Sequence, residues 1–535
     1  MRSTGLRSVR FLPLAGVVVL SLAAFWQLEP RVGRLWLNTA LLAAGACCSS
    51  VPLGTLAALL IAKTDAPGRL AAALALAALL WVPLFLITGA WDAGFGIQGW
   101  QTQLANPHLA AQPLLAGWRA AIWVHAMAGV PWVALIVAAG LRSVEAEIEE
   151  EASLSASPAG VLWHITLPRA APAIAVAALW VAIVASVEIS VTDFFQVRTF
   201  AEEVYTQAAL GAFDFSAEAS LPISAVGLWL GLLMTTLLAA AALVIARGAL
   251  AGLADVSLQP TWIWRLGRGR WAGGAILALT MFLVAGVPIF NLAYKAGAQV
   301  SMAESGPERS WSALKTLQRI AAAPREFSSE LLLTAELGAA AACAAVILGA
   351  PLAWRMRLAG RTPRLTLLAL AICLTIPGPL LGIGVIRLLN QPPNSPLSFL
   401  AVLYDSYFAP WAVLTIRVLP LVTLILWAGL ASIPAAVLDA AAIDGAGWWA
   451  RLFRIALPQR KAALFAAWLV GFAVACGELA ASILVLPPGP TTVSVRVFQL
   501  LHYGVDDRAA AISLFLVGAA AAVSAAVMLL RPRRA

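Results

Sequence analysis

Charge is what this chain has least of. Asp, Glu, Lys and Arg together make 11% of its 535 residues, while hydrophobic types make 61% and the mean hydropathy is +0.88. A soluble chain of this size carries about a quarter charged residues. The scarcity therefore excludes an ordinary cytosolic enzyme and points to the membrane. Histidine (4 residues) and cysteine (5) are also few. Cys47, Cys48, Cys343, Cys373 and Cys476 fall inside apolar runs without metal-ligand spacing, which reads as packing. No Gly-x4-Gly-Lys-Ser/Thr loop occurs, so the usual means of holding ATP is missing. Short alternating segments are missing too, which argues against a membrane β-barrel.

Long charge-poor runs are abundant. A transmembrane helix needs about 20 mostly apolar residues. Such runs recur at 11–28, 36–62, 70–91, 120–141, 170–187, 219–246, 271–294, 337–354, 365–386, 418–438, 462–477 and 509–530. The fold predicted is an all-α polytopic membrane protein of about 12 transmembrane helices. Arg417 interrupts the tenth run, so that helix is expected to begin near Phe408. The N-terminal run could pass for a signal peptide; with another run close behind it, it reads as a retained helix. The net charge of +9 follows membrane orientation and not nucleic acid. With both termini cytoplasmic, Arg2, Arg7 and Arg10, the cluster Arg355, Arg357, Arg361 and Arg364, and the tail Arg531, Arg533 and Arg534 all lie inside. The loop bearing Lys295, Arg309, Lys315, Arg319 and Arg325 runs against that bias, but long loops weigh less.

Two polar islands lie between spans, at 142–169 and 439–461. In the second, Asp439-Ala440-Ala441 leads to Gly445, and after nine residues Ile455-Ala456-Leu457-Pro458 closes the segment. In the first, Glu149, Ser155 and Ile165-Thr166-Leu167-Pro168 stand at the matching places, and 439 against 149, 445 against 155 and 458 against 168 share one offset of 290. Glu188 and Glu478 keep that offset. Asn38-Thr39-Ala40, Cys48 and Gly54 fall on Leu333-Thr334-Ala335, Cys343 and Gly349 at an offset of 295. Colinear matches of this kind predict a duplication. The expected units are residues 1–250, a cytoplasmic connector at 251–270, and residues 271–535. Six spans per unit is even, so the repeats should be parallel, related by an axis along the membrane normal.

Asp439 is expected to cap a short helix begun by Ala440 to Ala442, and Gly445 to permit a tight bend. Leu457-Pro458 should stop the second, aromatic helix that follows. If the backbone at 155 needs positive φ, serine there costs about 1–2 kcal/mol more than glycine. Glu145, Glu147, Glu149, Glu150 and Glu151 make the first island acidic. His164 reads as an exposed surface residue. An apolar ridge on such an island either binds a partner groove or lies on lipid headgroups.

The islands resemble the EAA loop of permeases of ATP-binding-cassette importers. The whole chain resembles a fused, two-lobed permease of the ferric-iron and thiamine group. Glu188-Ile189-Ser190-Val191-Thr192-Asp193 and Gly477-Glu478-Leu479-Ala480-Ala481-Ser482 look most like the iron(III) branch. Thiamine, phosphonate, sulfate and polyamine permeases share the architecture. The resemblance implies a type I permease fold in a bacterial inner membrane, with no catalytic residue. It implies two copies of a separate cytoplasmic ATPase that bind ATP and Mg²⁺, and an extracytoplasmic solute-binding protein. The coupling residues it implies are Glu149, Ser155, Ile165, Leu167, Pro168, Asp439, Ala440, Gly445, Ile455, Leu457 and Pro458.

Glu188 and Glu478 each lie 20 residues beyond an island's last proline. At 1.5 Å per residue that is roughly 30 Å, in the outer half of the bilayer. Each glutamate either lines the translocation path or caps backbone structurally, with Arg417 a possible partner. His502, Tyr503, Asp506 and Asp507, with Tyr205 and Asp214, are of types that bind ferric iron. They are equally ordinary loop residues, and no metal site is assigned. An ion-coupled carrier working through the two glutamates, and a non-transporting scaffold, are the competing classes.

Overall fold

In a computed structural model of the protein, residues 30–105, 113–210, 262–303, 306–357, 361–504 and 506–529 are described. The expected spans 11–28 and 219–246, both basic termini and residues 251–261 of the connector lie outside them. The described chain is that of a helical polytopic membrane protein. Seven helices are long and apolar enough to cross a membrane, and three bent pairs bring the number to ten if each counts once.

In chain order the main helices are α1 (Pro30–Lys63), α2 (Arg69–Leu79), α3 (Leu84–Phe95), α4 (Gly117–Leu141) and α5 (Ala146–Ser153). Helix α6 (Pro158–Val187) follows, then the short α7 (Ser190–Phe194) and α8 (Phe200–Ala209). Helix α9 (Gly267–Gly297) leads into a hairpin of β1 (Ala298–Ala303) and β2 (Gly306–Trp311), a small departure from an all-helical chain. Then come α10 (Ala313–Glu326), α11 (Ser328–Arg355), α12 (Arg361–Thr375), α13 (Gly378–Leu389) and α14 (Phe408–Ala431), the last beginning where Arg417 implied. The chain continues through α15 (Ala435–Ile443), α16 (Trp448–Gln459), α17 (Lys461–Gly477), α18 (Val493–His502) and α19 (Asp506–Leu529).

Helices α1, α4 and α6 pack as one core, and α11, α14 and α17 as another. Small residues let these helices approach closely, the means of packing where lipid offers no hydrophobic drive. A Cβ on Gly54 would fall 2.6 Å from the Val133 side chain, and one on Gly349 would fall 2.9 Å from that of Thr423. Gly140 is likewise pressed against Ala173, and Gly429 against Ala463.

Two of the apolar runs are broken by proline. Between α2 and α3 the chain turns by 106° at Pro83, and between α12 and α13 by 104° at Pro377. Proline supplies no N–H and pushes its predecessor out of the helical region, which favours a helix end at these two places. A continuous span over 70–91 or 365–386 is therefore replaced by two short helices.

The two halves of the chain interlock. Helix α9 leans on α3, where Asn291 donates to the Ala90 carbonyl (3.0 Å) and accepts from the Trp100 indole (3.0 Å). Asp507 at the head of α19 holds Arg319 (3.1 Å) and Lys315 (3.5 Å) of α10. His502 on α18 pairs with Asp193 on α7 at 3.0 Å.

That hydrogen bond to Asp193 holds His502 above its usual pKa, while burial pulls the other way. A raised folded value means that the contact stabilises fully below the unfolded pKa of about 6.5 and fades as pH rises through the raised one. Thermal unfolding in detergent should thus show a stability increment at mildly acid pH that His502→Gln removes. An unchanged pH profile in that variant would exclude the contact as its source.

Candidate functional site

The second island is two helices with a built hinge. Helix α15 begins at Ala435, behind Pro434, so Asp439 sits in its middle and does not cap it. The helix ends in a Schellman motif: Ala446 N–H donates to the Ala441 carbonyl (2.9 Å), and Gly445 N–H to that of Ala442 (3.1 Å). This motif needs a left-handed residue after the cap, and Gly445 supplies it at φ +82°. Helix α16 then contains a wide turn over Arg451–Ala456, where Leu457 N–H reaches back to the Leu452 carbonyl. Pro458 lacks the donor an ordinary turn would use, and the wide turn absorbs the misfit. The helix outlasts Pro458 and breaks at Arg460, turning by 84° into α17.

The first island solves the same problem differently. Ser155 is not left-handed, so the conditional strain does not arise. Helix α5 winds on through Leu154, and the chain re-enters helix at Ser157, whose hydroxyl accepts from Gly160 N–H (3.2 Å) ahead of Pro158. A wide turn over Leu162–Thr166 again precedes Leu-Pro, at the place matching that of α16. Here Pro168 ends nothing: α6 runs through it to Val187.

The acidic residues of the two islands differ in role. Glu149 is fully buried, 2.5 Å from an equally buried Lys63 at the end of α1, and accepts from the Thr166 hydroxyl at 2.7 Å. Asp439 is exposed and has no ion pair among the described residues. Sequence reading missed Lys63 and Thr166, whose counterparts in the second half are Leu358 and Ala456. Of the remaining acidic cluster, Glu147, Glu150 and Glu151 are exposed, and Glu145 pairs with Arg169.

The closing tetrapeptides seat the islands on the bundle. Leu438, Leu452 and Ala456 are buried in the core of α11, α14 and α17, with Ile455 and Leu457 packed against it. Ile165 and Leu167 are likewise half-buried, whereas Ala440, Gly445, Ser155, Pro168 and Pro458 are exposed. The outward ridge consists of other residues. Ile443 (86%), Trp449 (57%) and Phe453 (54%) stand out from the second island, and Leu154 (85%) and Trp163 (66%) from the first. Exposed large apolar side chains grouped like this suit either a partner groove or the lipid headgroup region.

At the far ends of α6 and α17, Glu188 and Glu478 each terminate a helix and adopt extended backbone. Glu188 accepts from the N–H groups of Ile189 (2.9 Å) and Ser190 (2.7 Å) through one oxygen. Glu478 accepts from Ala481 N–H (3.0 Å) and pairs with Arg417 Nε (3.3 Å), the partner expected for it. Arg417 also donates to the carbonyls of Leu374 (3.3 Å) and Ile376 (3.0 Å), the frayed end of α12 at its bend. Both glutamates thus do the structural work of capping. They also face one cavity of about 170 Å³ between the halves, lined by the α2–α3 bend, α4, α6, α14 and α17. Because α6 and α17 meet there at their C-terminal ends within one bilayer, their N-terminal ends, carrying the islands, share the opposite side.

Among the described residues no group of three or more His, Cys, Asp or Glu could hold a metal ion. Tyr503 is exposed, Asp507 belongs to the α10 contact, and Asp214 lies outside the described residues.

No family model matches the chain. Over 142 residues it is 28% identical to proteins of Salmonella paratyphi A and Salmonella typhimurium, described provisionally as 2-aminoethylphosphonate transport system permease protein PhnV. The match covers 26% of this chain, and the chain spans about half (51%) of the length of these curated relatives.

Removing one member of a buried ion pair strands the other and costs about 3–5 kcal/mol. Lys63→Met should therefore lower the thermal midpoint sharply and open residues 142–169 to proteolysis. The double variant Lys63→Met/Glu149→Gln, which keeps an acceptor for Thr166, should recover most of the loss. Equal damage in single and double variants would show that the pair does not hold the island.

Proposed function

We propose that this chain is the permease of an ATP-binding-cassette importer, carrying a solute released by an extracytoplasmic binding protein across a bacterial inner membrane. The observation that carries the reading is the pair of islands. Both lie on one side of the membrane, each is seated on its helix bundle by buried apolar residues, and each turns an unpartnered apolar ridge outward. The relatives, described as transport-system permeases, support it. In this reading the ridges enter clefts on two copies of a cytoplasmic ATPase, which hold the ATP and Mg²⁺ that this chain has no loop to bind. The side bearing the islands is then cytoplasmic, as are both termini.

The halves are two lobes of one duplicated unit, residues 1–250 and 271–535 joined by the connector 251–270. Matching features at Gly54 and Gly349, at Pro83 and Pro377, at the wide turns before Leu-Pro and at Glu188 and Glu478 support this. Nucleotide closure draws the islands together and opens the lobes outward. Hydrolysis returns the cavity to the cytoplasm. Two solute readings follow. Iron(III) is favoured by the resemblance of the segments around Glu188 and Glu478; a phosphonate is favoured by the names of the relatives.

Phe453→Asp places a charge on the ridge without touching the buried seat. It should weaken co-purification of the ATPase at least tenfold, the scale of about 1.4 kcal/mol for a lost apolar contact. The variant should still insert and unfold like the parent. Unaltered ATPase association, or solute movement in proteoliposomes driven by an ion gradient with no ATPase present, would overturn the reading in favour of an ion-coupled carrier.

A further inference from the structure

The cavity between the lobes has an uneven polar inventory. Arg417 is the one Lys or Arg among the described residues that line it, and that charge is already matched by Glu478 and by the carbonyls of Leu374 and Ile376. Glu188 has no salt bridge among the described residues, and the two N–H groups it accepts from both reach the same oxygen. One carboxylate is therefore left over.

A second acceptor points the same way. His125 on α4 is 3% exposed and lines the cavity. Its Nδ1 lies 2.9 Å from the Ala121 carbonyl. A carbonyl can only accept, so Nδ1 carries the proton and Nε2 is a bare acceptor. That Nε2 is buried and has no partner among the described residues. Buried polar atoms are nearly always paired, so an open acceptor on a cavity wall is a place where a ligand or a water can donate.

The bend at Pro83 presents both the C-terminal end of α2 and the N-terminal end of α3 to the cavity, so its helix dipoles favour neither sign of charge there. At the equivalent bend Arg417 neutralises the end of α12, whereas at the α2 bend no basic side chain lines the wall. Trp132 and Trp180, with ring centroids 4.8 Å apart, supply aromatic faces of the kind that attract cations. The Trp180 indole N–H, also buried without a partner, is a single donor for a solute's other end.

An unmatched carboxylate, a bare imidazole nitrogen and aromatic walls all favour hydrogen-bond donors and positive charge. The geometry points to a binding site for a compact solute bearing a protonated amine, with Glu188 and His125 receiving the ammonium group. Size sets the scale. An engineered cavity of about 150 Å³ accepts benzene, so about 170 Å³ suits a solute, or a solute's amine end, of that order. This inference rests on the permease reading, because it makes the cavity a station on the path.

The test uses the full chain in lipid nanodiscs, read by tryptophan fluorescence and by equilibrium dialysis. The probes are 2-aminoethylphosphonate and 3-aminopropionate, set against ethylphosphonate and propionate, which lack the amine. Both amines should bind saturably, and both amine-free analogues should bind at least tenfold more weakly. Glu188→Gln keeps the oxygen that caps Ile189 and Ser190 but removes the charge. It should cost about tenfold in amine affinity, the scale of a charge-assisted hydrogen bond, and His125→Leu should also weaken it. Should either variant fail to fold, the comparison of probes on the unmodified protein still decides. Equal binding of amine and amine-free probes, no binding of either amine, or full affinity in Glu188→Gln would overturn the site. ATP-dependent uptake of some other solute, ferric iron included, alongside any of those results would leave the permease reading standing. Loss of ATPase dependence would sink the permease reading first.

Discussion

A helix that breaks inside a bilayer exposes backbone groups that only protein can satisfy, because hydrocarbon offers no hydrogen bonds. Every unusual feature of this chain answers that constraint. Glu188 and Glu478 take up the N–H groups that follow their helices, and Arg417 takes up carbonyls left open at Pro377. The wide turns before Leu167-Pro168 and Leu457-Pro458 redistribute bonds around a residue with no N–H, and Val287-Pro288 follows a third such turn. The bends are thus accompanied by groups that take up their open backbone, and Glu188, Glu478 and Arg417 among these line the cavity.

Resemblance between the halves does not make them equivalent. The bend at Pro377 has an arginine, and the bend at Pro83 has none. One island's acid is buried with a lysine, and the other's faces water. The two walls of the cavity are therefore chemically unlike, one bearing Glu188 and the other the Glu478–Arg417 pair.

Legibility in the sequence divided along the range of the forces involved. Local rules worked: Gly445 is left-handed as a tight bend requires, and α14 begins at Phe408. Apolar runs identified the helices because burial in lipid scales with hydropathy. Broken spans escaped notice because Pro83 and Pro377 lie in sequence as apolar as any helix. Asp439 failed as a cap because Pro434, four residues upstream of Leu438, had already started the helix. The burial of Glu149 was invisible because its partner lies 86 residues away on another helix. No local pattern distinguishes it from the exposed Glu150 beside it. His125 escaped because an orphaned nitrogen is a property of packing, not of spacing.

The Lys63–Glu149 pair has a mechanical consequence. A charge-assisted bond with no water around it resists both stretch and shear, so the first island is effectively bolted to the end of α1, a helix 34 residues long. Displacement of that island would swing α1 as a lever about the Gly54–Val133 crossing. The second island is seated by apolar contacts, Trp448 among them, and by Arg460 donating to the Ser432 carbonyl (2.7 Å). A buried charged pair and a single bond to a backbone carbonyl make the two joints unequal in stiffness.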